Sequence, residues 1–317
     1  MAGLLHNELT ERENELLMDF AQKYNTSYGE ILDWLEVDIE DKKVIINNNL
    51  PFSNDNKETA EKFKDVIRKQ NSYMNMLSDM ESLQVKLNVF TNGECWISGV
   101  TKEGRNIDWL KCIRQEASEL IDSFNWKHWK DIAKEDDIEN AKMELVDIIH
   151  FVISYSFING LKIKDAWSYF VFDYYESDIV EIVEKLIFNT YLLDKKYEDY
   201  IIEESLSDNN IVILWVLIAQ IAYELKFSLE EIYELYITKN VLNIFRQTHG
   251  YKENTYIKNW GKDKKEDNVI LKEILNYVNN EIEKPEYINS DNKEFSSDNL
   301  LTLLEESYAY LNKGVRW

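Results

Sequence analysis

The sequence predicts an all-α fold, and the scarcity of helix-breaking residues is the first reason. The chain of 317 residues contains nine glycines and only two prolines, Pro51 and Pro285. Both residue types destabilise helix interiors, so long stretches without them favour helix. Apolar residues also recur at intervals of three and four over most of the chain, as they do in amphipathic helices. The aromatic content of 13% argues against disorder.

This periodicity divides the chain into consecutive helices. Residues 47–51 interrupt it with a loop, and residues 44–46 have the composition of a short strand. Gly99 and Gly104 mark a second loop near the middle of the chain. We expect the aromatic and acidic stretch 161–210 to be helical as well. The other predicted helices cover residues 7–24, 27–36, 58–90, 108–124, 138–159, 210–226 and 228–247, and two more flank Pro285.

Composition argues against several classes of protein. A net charge of −23 leaves no broad basic face for a nucleic-acid backbone. The chain has no run of 18 apolar residues, and it does not begin with a basic segment followed by an apolar one, so we expect neither a membrane span nor secretion. Cys95 and Cys112 are too few for a disulfide framework and lack the spacing of metal ligands. We therefore expect a cytoplasmic protein.

Two acidic pairs indicate a metal site. Glu116 and Glu119, like Glu144 and Asp147, are three residues apart, which places each pair on one helix face. The spacing is common in so acidic a chain, but the second pair lies within the apolar run 143–153. A carboxylate buried there must be protonated, paired or metal-bound. Four carboxylates on adjacent helices suit Mg²⁺ and a polyphosphate, so we expect an enzyme.

A basic segment, residues 239–265, stands out in this acidic chain. It contains seven Lys or Arg residues and only two acidic ones. Lys239, Asn243 and Arg246 follow one another at helical intervals and share a face. The segment is typical of a phosphate-binding site, but also of a helix end whose cations complement the helix dipole. Composition alone does not separate these two interpretations.

Four motifs follow one another along the chain. The first is a helix segment, the next two contain the acidic pairs, and the last lies in the basic segment. They are residues 84–88 (QVKLN), 116–130 (EASELIDSFNWKHWK), 144–151 (ELVDIIHF), and 239–246 (KNVLNIFR) followed by Gly250-Tyr251, Tyr256, Lys258 and Trp260. In this order they resemble the motifs of the dimeric, all-α dUTPases, and most closely those of their bacterial, Campylobacter-like branch.

The resemblance implies a fold, a reaction and an assembly. The fold would be a helix bundle of the all-α NTP pyrophosphohydrolase type, with extra N-terminal helices. Residues 1–75 would form a helical extension of unknown role, 76–265 the catalytic domain, and 266–317 an acidic helical tail. The reaction would be hydrolysis of dUTP, and also of dUDP, to dUMP, with pyrophosphate released from dUTP. The enzyme would be a homodimer that requires Mg²⁺.

The resemblance also implies roles for individual residues. Mg²⁺ would be bound by Glu116, Glu119, Glu144 and Asp147, and Glu119 would also orient or deprotonate the attacking water. The nucleoside pocket would be lined by Gln84, Asn88, Trp129 and Asn243. The phosphate chain would be held by Lys239, Arg246, Tyr251 and Lys258. His150 has no assigned role, because a partner of Asp147 and a packed core residue are equally good interpretations of it.

Two other functions remain open at this stage. One is a related all-α pyrophosphohydrolase for another nucleotide, such as dCTP. The other is a binding protein that uses the nucleotide site as a sensor. The presence of all four predicted metal ligands argues against the second.

Overall fold

The computed structural model describes residues 35–38, 43–46, 54–129, 135–171, 174–196 and 211–313. Within these ranges α-helix dominates and the strands are short, which confirms the predicted all-α fold. The chain divides into two compact units, Met1–Ser72 and Tyr73–Trp317. The helix predicted over 7–24, and most of the one predicted over 27–36, lie outside the described residues.

The described part of the first unit includes a two-stranded antiparallel hairpin. Strand β1 (Leu35–Asp38) pairs with β2 (Lys43–Ile46), and Leu35 lies opposite Ile46. The strand predicted at 44–46 is confirmed, since β-branched residues favour extended backbone. The end of the helix predicted over 27–36 is wrong, because its last two residues belong to β1.

The second unit is built from helices whose order follows the sequence prediction, with boundaries shifted by a few residues. Helix α1 (Asn54–Asn92) enters it from the first unit, and 3-10 turns form at Glu94–Ser98 and Ile163–Val171. A small hairpin joins β3 (Asn259–Trp260) to β4 (Lys265–Glu266). The remaining helices are α2 (Trp109–Asp122), α3 (Ile138–Ile158), α4 (Ile179–Leu193), α5 (Val212–Glu224), α6 (Leu229–Thr248), α7 (Asp267–Val278) and α8 (Ser297–Lys313).

Helix α3 lies at the centre of this unit and packs against α2, α5 and α6. Contacts on several sides explain why its sequence is apolar nearly all round. Leu145 and Ile149 are fully buried, and Trp215 of α5 donates its indole N–H to Ser156 at 3.0 Å. Acidic side chains on such a helix are exceptions that require a partner.

The C-terminal helices α7 and α8 both pack on α6. Between them and α6, Phe245 contacts Trp260 and Tyr308, with ring centroids 5.7 Å and 5.4 Å away. The predicted boundary between catalytic domain and tail, at 265/266, falls inside β4. Residues after this boundary therefore share a core with α6.

Among the described residues, no single helix is long and apolar enough to cross a membrane. Only the consecutive helices α5 and α6, bent by 105°, meet that test as a pair, and by length and composition alone.

Polar caps fix where the central helices begin. The Asp108 and Asp137 side chains accept hydrogen bonds from backbone N–H groups at the starts of α2 and α3. Ser228 and Glu231 form a capping box at the start of α6, in which each side chain accepts from the other residue's backbone N–H. These are the helices that carry the acidic pairs and the basic segment.

The capping box predicts a measurable stability loss. Replacing Ser228 by Ala leaves a backbone N–H at the start of α6 without its acceptor, so the free energy of unfolding should fall by about 1 kcal/mol. Urea denaturation followed by circular dichroism measures this change. Ser228→Thr keeps a hydroxyl acceptor and serves as the control. Equal stability of the Ala and Thr variants would contradict the role of the cap.

Candidate active site

Carboxylates from α2 and α3 converge at one place. Oxygen atoms of Glu116, Glu144 and Asp147 lie within 4.8 Å of one another. The two helices pack side by side, and the three-residue spacing directs the acidic side chains toward the shared surface. All three side chains are partly buried. Three oxygen donors so close together suit a hard divalent cation.

Glu119 lies on the same helix as Glu116 but outside this three-carboxylate group. It is solvent-exposed, and its Oε1 accepts a hydrogen bond of 2.9 Å from the Gln115 side chain. Its charge nevertheless contributes to the raised pKa of both Glu116 and Glu144, so it acts on the cluster electrostatically. Its role as a metal ligand and as the base stays a prediction.

The electrostatics of the cluster fit a bound cation. Burial raises the pKa of Glu116 and of Glu144 to about 7, and repulsion from Asp147 is the next largest cause in both. Lys239 opposes the shift, but it does not cancel it. Carboxyls that hold protons near neutral pH for lack of positive charge would release them to a divalent cation. The residues present therefore fit a metal site.

A cavity of about 300 Å³ opens beside the carboxylates. Glu116 and Asp147 lie on its wall together with Lys239 and Arg246, so both signs of charge face the same space. The rest of the wall includes His150, three amides and three aromatic side chains, namely Gln84, Asn88, Asn243, Trp109, Phe151 and Tyr251. Charged groups and uncharged polar groups on one wall suit a nucleotide, which carries both phosphates and a base. We call the part of the wall formed by Gln84 and Asn88 the amide end and the part formed by the charged residues the charged end.

Lys239 reaches the cluster from α6. Its Nζ lies 2.9 Å from a carboxylate oxygen of Asp147, and it also donates to the Asn268 side chain at 3.2 Å. The lysine is almost completely buried, so this ion pair is shielded from water and strengthened accordingly.

Arg246, about two turns further along α6, is held by Asp267. Its Nε and one terminal nitrogen donate to the two carboxylate oxygens, both at 2.7 Å. The Tyr256 hydroxyl donates to the same carboxylate at 2.8 Å. Asp267 is fully buried, and the paired geometry fixes the orientation of the guanidinium.

Sequence reasoning missed Asp267 and Asn268, the two residues that hold the cations. They lie at the start of α7, in the stretch that was predicted only as an acidic tail. The available signal was their position, since an acid and an amide at a helix start directly follow the basic segment.

The amide end of the cavity is a buried hydrogen-bond network. Gln84 donates to the Asn88 oxygen at 3.1 Å, and Asn88 donates to Ser154 at 2.9 Å. His150 and Tyr236 both bond to the Gln84 oxygen, at 2.6 Å and 2.8 Å. Burial, helped by the charge of Lys239, lowers the pKa of His150 to about 3, so its ring is neutral. Tyr236 and Ser154 are the members of this network that the sequence did not single out.

Two predicted substrate contacts do not line this cavity. Trp129 is 62% exposed, and its ring packs edge-on against Trp126. Lys258 is also exposed and lies 3.6 Å from Glu266. Tyr251 does line the cavity, with the Arg246 guanidinium 6.0 Å from its ring centroid. The roles of all three stay predictions.

The raised pKa values predict how stability depends on pH without metal. Between pH 4.5, the usual carboxyl value, and about 7, the folded protein holds more protons on Glu116 and Glu144 than the unfolded chain does. Their contribution to the free energy of unfolding therefore falls as pH rises through this interval. In EDTA, Glu116→Gln should lose less stability than the parent between about pH 5 and about pH 8.

Urea denaturation at several pH values measures this difference. Glu184→Gln is the matched control, since it removes an exposed carboxylate from α4. The control should follow the parent. If the stability of Glu116→Gln had the parent's pH dependence, ionisation of Glu116 would not destabilise the folded protein.

Comparison with known proteins adds an independent finding. A family model described as dUTPase matches residues 76–251, which is more than half of the chain. The matched range contains α2, α3 and α6, and therefore the three carboxylates, Lys239 and Arg246. No curated protein matches the chain. The chain therefore belongs to the all-α dUTPase family and is a dUTP diphosphatase.

Proposed function

We propose that dUTP binds in the cavity with its phosphates at the charged end and its uracil at the amide end, and that Mg²⁺-dependent hydrolysis yields dUMP and pyrophosphate. The observation that carries this proposal is that Glu116 and Asp147, two members of the three-carboxylate cluster, lie on the wall of one cavity together with the cations Lys239 and Arg246. Neither set alone would suit a polyphosphate, because the carboxylates would repel it and the cations are already paired.

The metal ligands in this proposal are Glu116, Glu144 and Asp147, with Glu119 as the fourth. Bound Mg²⁺ would neutralise the phosphate chain and lower the pKa of a bound water. The three-residue cluster offers only oxygen donors and contains no histidine or cysteine. Such a set of donors favours Mg²⁺ over zinc.

The phosphate chain would be held by residues of α6 and the segment after it. Lys239 and Arg246 stabilise the negative charge that builds up on the leaving phosphates. Because Asp267 holds Arg246 in one orientation, little side-chain entropy is lost when phosphate binds. Tyr251 and Lys258 would add contacts from the chain that follows α6.

Glu119 is the proposed base for the attacking water. It is exposed, whereas Glu116 and Glu144 are partly buried and, in this proposal, occupied by the metal. A solvent-exposed carboxylate beside the cluster can accept the proton that water loses as it attacks phosphorus. The proton can then pass to solvent.

Further parts of the proposal rest on the family resemblance. They are the hydrolysis of dUDP, the homodimer, the cytoplasmic location and the Campylobacter-like branch, together with nucleoside contacts by Trp129 and Asn243. A preference for dCTP is the alternative within the same reaction, and a nucleotide sensor is the alternative outside it.

The reaction predicts a specific substrate pattern. With Mg²⁺, the protein should release pyrophosphate from dUTP and much less from dCTP, dTTP or UTP, and EDTA should abolish the release. A coupled pyrophosphate assay on the four nucleotides measures this. Preference for dCTP would overturn the base assignment, and no turnover of any nucleotide would favour the sensor.

The proposed base predicts a separation of turnover from binding. Glu119→Gln should lower kcat for dUTP by about 10²-fold or more, because the amide cannot take a proton. The dissociation constant for dUTP, measured by calorimetry with Ca²⁺ in place of Mg²⁺, should change only a few-fold. Glu184→Gln again serves as the control, and an unchanged kcat in Glu119→Gln would assign the base elsewhere.

A further inference from the structure

The hydrogen bonds at the amide end run in one direction, from donor to acceptor. This direction decides which donors and acceptors the cavity presents to a base. An amide side chain has nearly the same shape when its oxygen and nitrogen are exchanged, so its neighbours must determine which atom lies where. Gln84 and Asn88 are both 3% exposed and both line the cavity.

One end of the network fixes Gln84. The Tyr236 hydroxyl lies 2.8 Å from the Gln84 oxygen and 3.1 Å from the Met80 carbonyl, and its single proton is donated to Gln84, the shorter of the two contacts. His150 Nδ1 lies 2.6 Å from the same Gln84 oxygen. The neutral imidazole has a single N–H, and Nε2 is buried without a partner among the described residues. The proton is therefore best used on Nδ1, where an acceptor is present.

The other end fixes Asn88. Its nitrogen donates to the Ser154 oxygen at 2.9 Å, and the Ser154 hydroxyl donates its only proton to the His150 carbonyl at 2.9 Å. If both amides were reversed, the Asn88 oxygen would need a proton that Ser154 has already given away. Ser154 thus supports the same direction as His150 and Tyr236.

With both ends fixed, the hydrogen-bonding capacity that remains is determined. Gln84 has used both lone pairs of its oxygen and one N–H, so one N–H remains. Asn88 has one lone pair on its oxygen and one N–H left. The two side chains can therefore offer donor, acceptor and donor. The edge of uracil, with O4, N3–H and O2, offers the complementary acceptor, donor and acceptor.

We propose that His150 and Tyr236 are positioning residues that set the preference for uracil by fixing the orientation of the Gln84 and Asn88 amides. This inference rests on the proposed function, in which the amide end holds the base. Cytosine presents an amino group and an unprotonated N3 in place of O4 and N3–H, so it mismatches two of the three positions. The reversed network would offer acceptor, donor and acceptor, and would favour cytosine.

Stacking makes this arrangement rigid. The rings of His150 and Tyr236 lie 4.1 Å apart at an angle of 23°, and both residues are buried. Each ring therefore holds the other in the position from which it donates to Gln84. His150 also lies on the cavity wall, whereas Tyr236 does not, so Tyr236 acts only through Gln84.

The test is the ratio of kcat/KM for dUTP to kcat/KM for dCTP. Tyr236→Phe removes one donor to Gln84 and should lower this ratio by about fivefold, which corresponds to the net value of one such hydrogen bond, about 1 kcal/mol. His150→Leu combined with Tyr236→Phe should lower it further. The ratio compares two substrates on the same folded molecules, so a loss of stability does not change it.

Tyr73→Phe is the matched control. The Tyr73 hydroxyl also links α1 to α6, through Glu230 at 2.9 Å, but it does not contact Gln84. The control should keep the parent's ratio. A parent selective for dUTP whose ratio is unchanged in Tyr236→Phe would overturn this inference alone. A parent that hydrolyses no dUTP would overturn the proposed function as well.

The histidine tautomer gives a second measurement that requires no variant to fold. The chain contains only four histidines, so long-range ¹H–¹⁵N correlation spectra can resolve the imidazole of His150. We expect its proton on Nδ1 and a free lone pair on Nε2. A proton on Nε2 would mean that Gln84 donates to the ring, and it would overturn the proposed orientation.

Discussion

The repulsion among carboxylates between α2 and α3 is the constraint on which the rest of the site depends. Glu116, Glu144 and Asp147 are held close together by helix packing, and burial reduces the screening that water would provide. Lys239 is the cation that opposes this repulsion, and among the described residues it forms an ion pair with Asp147 only. The fold thus maintains an excess of negative charge at one point, which is unfavourable until a cation arrives. Helix packing elsewhere must supply the stability that this arrangement costs.

The two cations on the cavity wall already have acidic partners. A phosphate that binds there must displace these partners or share the cations with them. Lys239 is held by Asp147, and Arg246 is held by Asp267 from a helix that follows the region matched by the family. A positive charge placed on Asp147 would weaken its hold on Lys239 and free the ammonium for phosphate. Metal and phosphate binding should therefore favour each other. Bound metal weakens the Asp147–Lys239 ion pair that competes with phosphate, and bound phosphate takes Lys239 away from the carboxylate that the metal needs. Helix α7, which follows the basic segment, takes part because its Asp267 and Asn268 side chains hold Arg246 and Lys239.

The sequence predicted the helices and the acidic cluster well because both depend on local periodicity. A three-residue spacing within an apolar run is sufficient to place Glu144 and Asp147 on one face of a central helix. Asp267 and Tyr236 were missed because their roles exist only through tertiary contacts with Arg246 and Gln84, which no spacing along the chain reveals. The β1–β2 hairpin was half predicted, since β-branched residues mark only its second strand.

Discrimination between uracil and cytosine illustrates why such tertiary contacts matter. The two bases have nearly the same shape, so a cavity wall cannot separate them, and only the direction of hydrogen bonds can. Amide side chains can bind the hydrogen-bonding edge of a base, but their shape does not determine which end donates and which accepts. Burying Gln84 beside His150 and Tyr236 gives it a direction, because a reversed amide would donate to His150 Nδ1 and leave the ring's N–H on Nε2, which is buried and has no hydrogen-bond partner among the described residues. A polar core of this kind contributes less to stability than an apolar one, and what it provides instead is a fixed pattern of donors and acceptors.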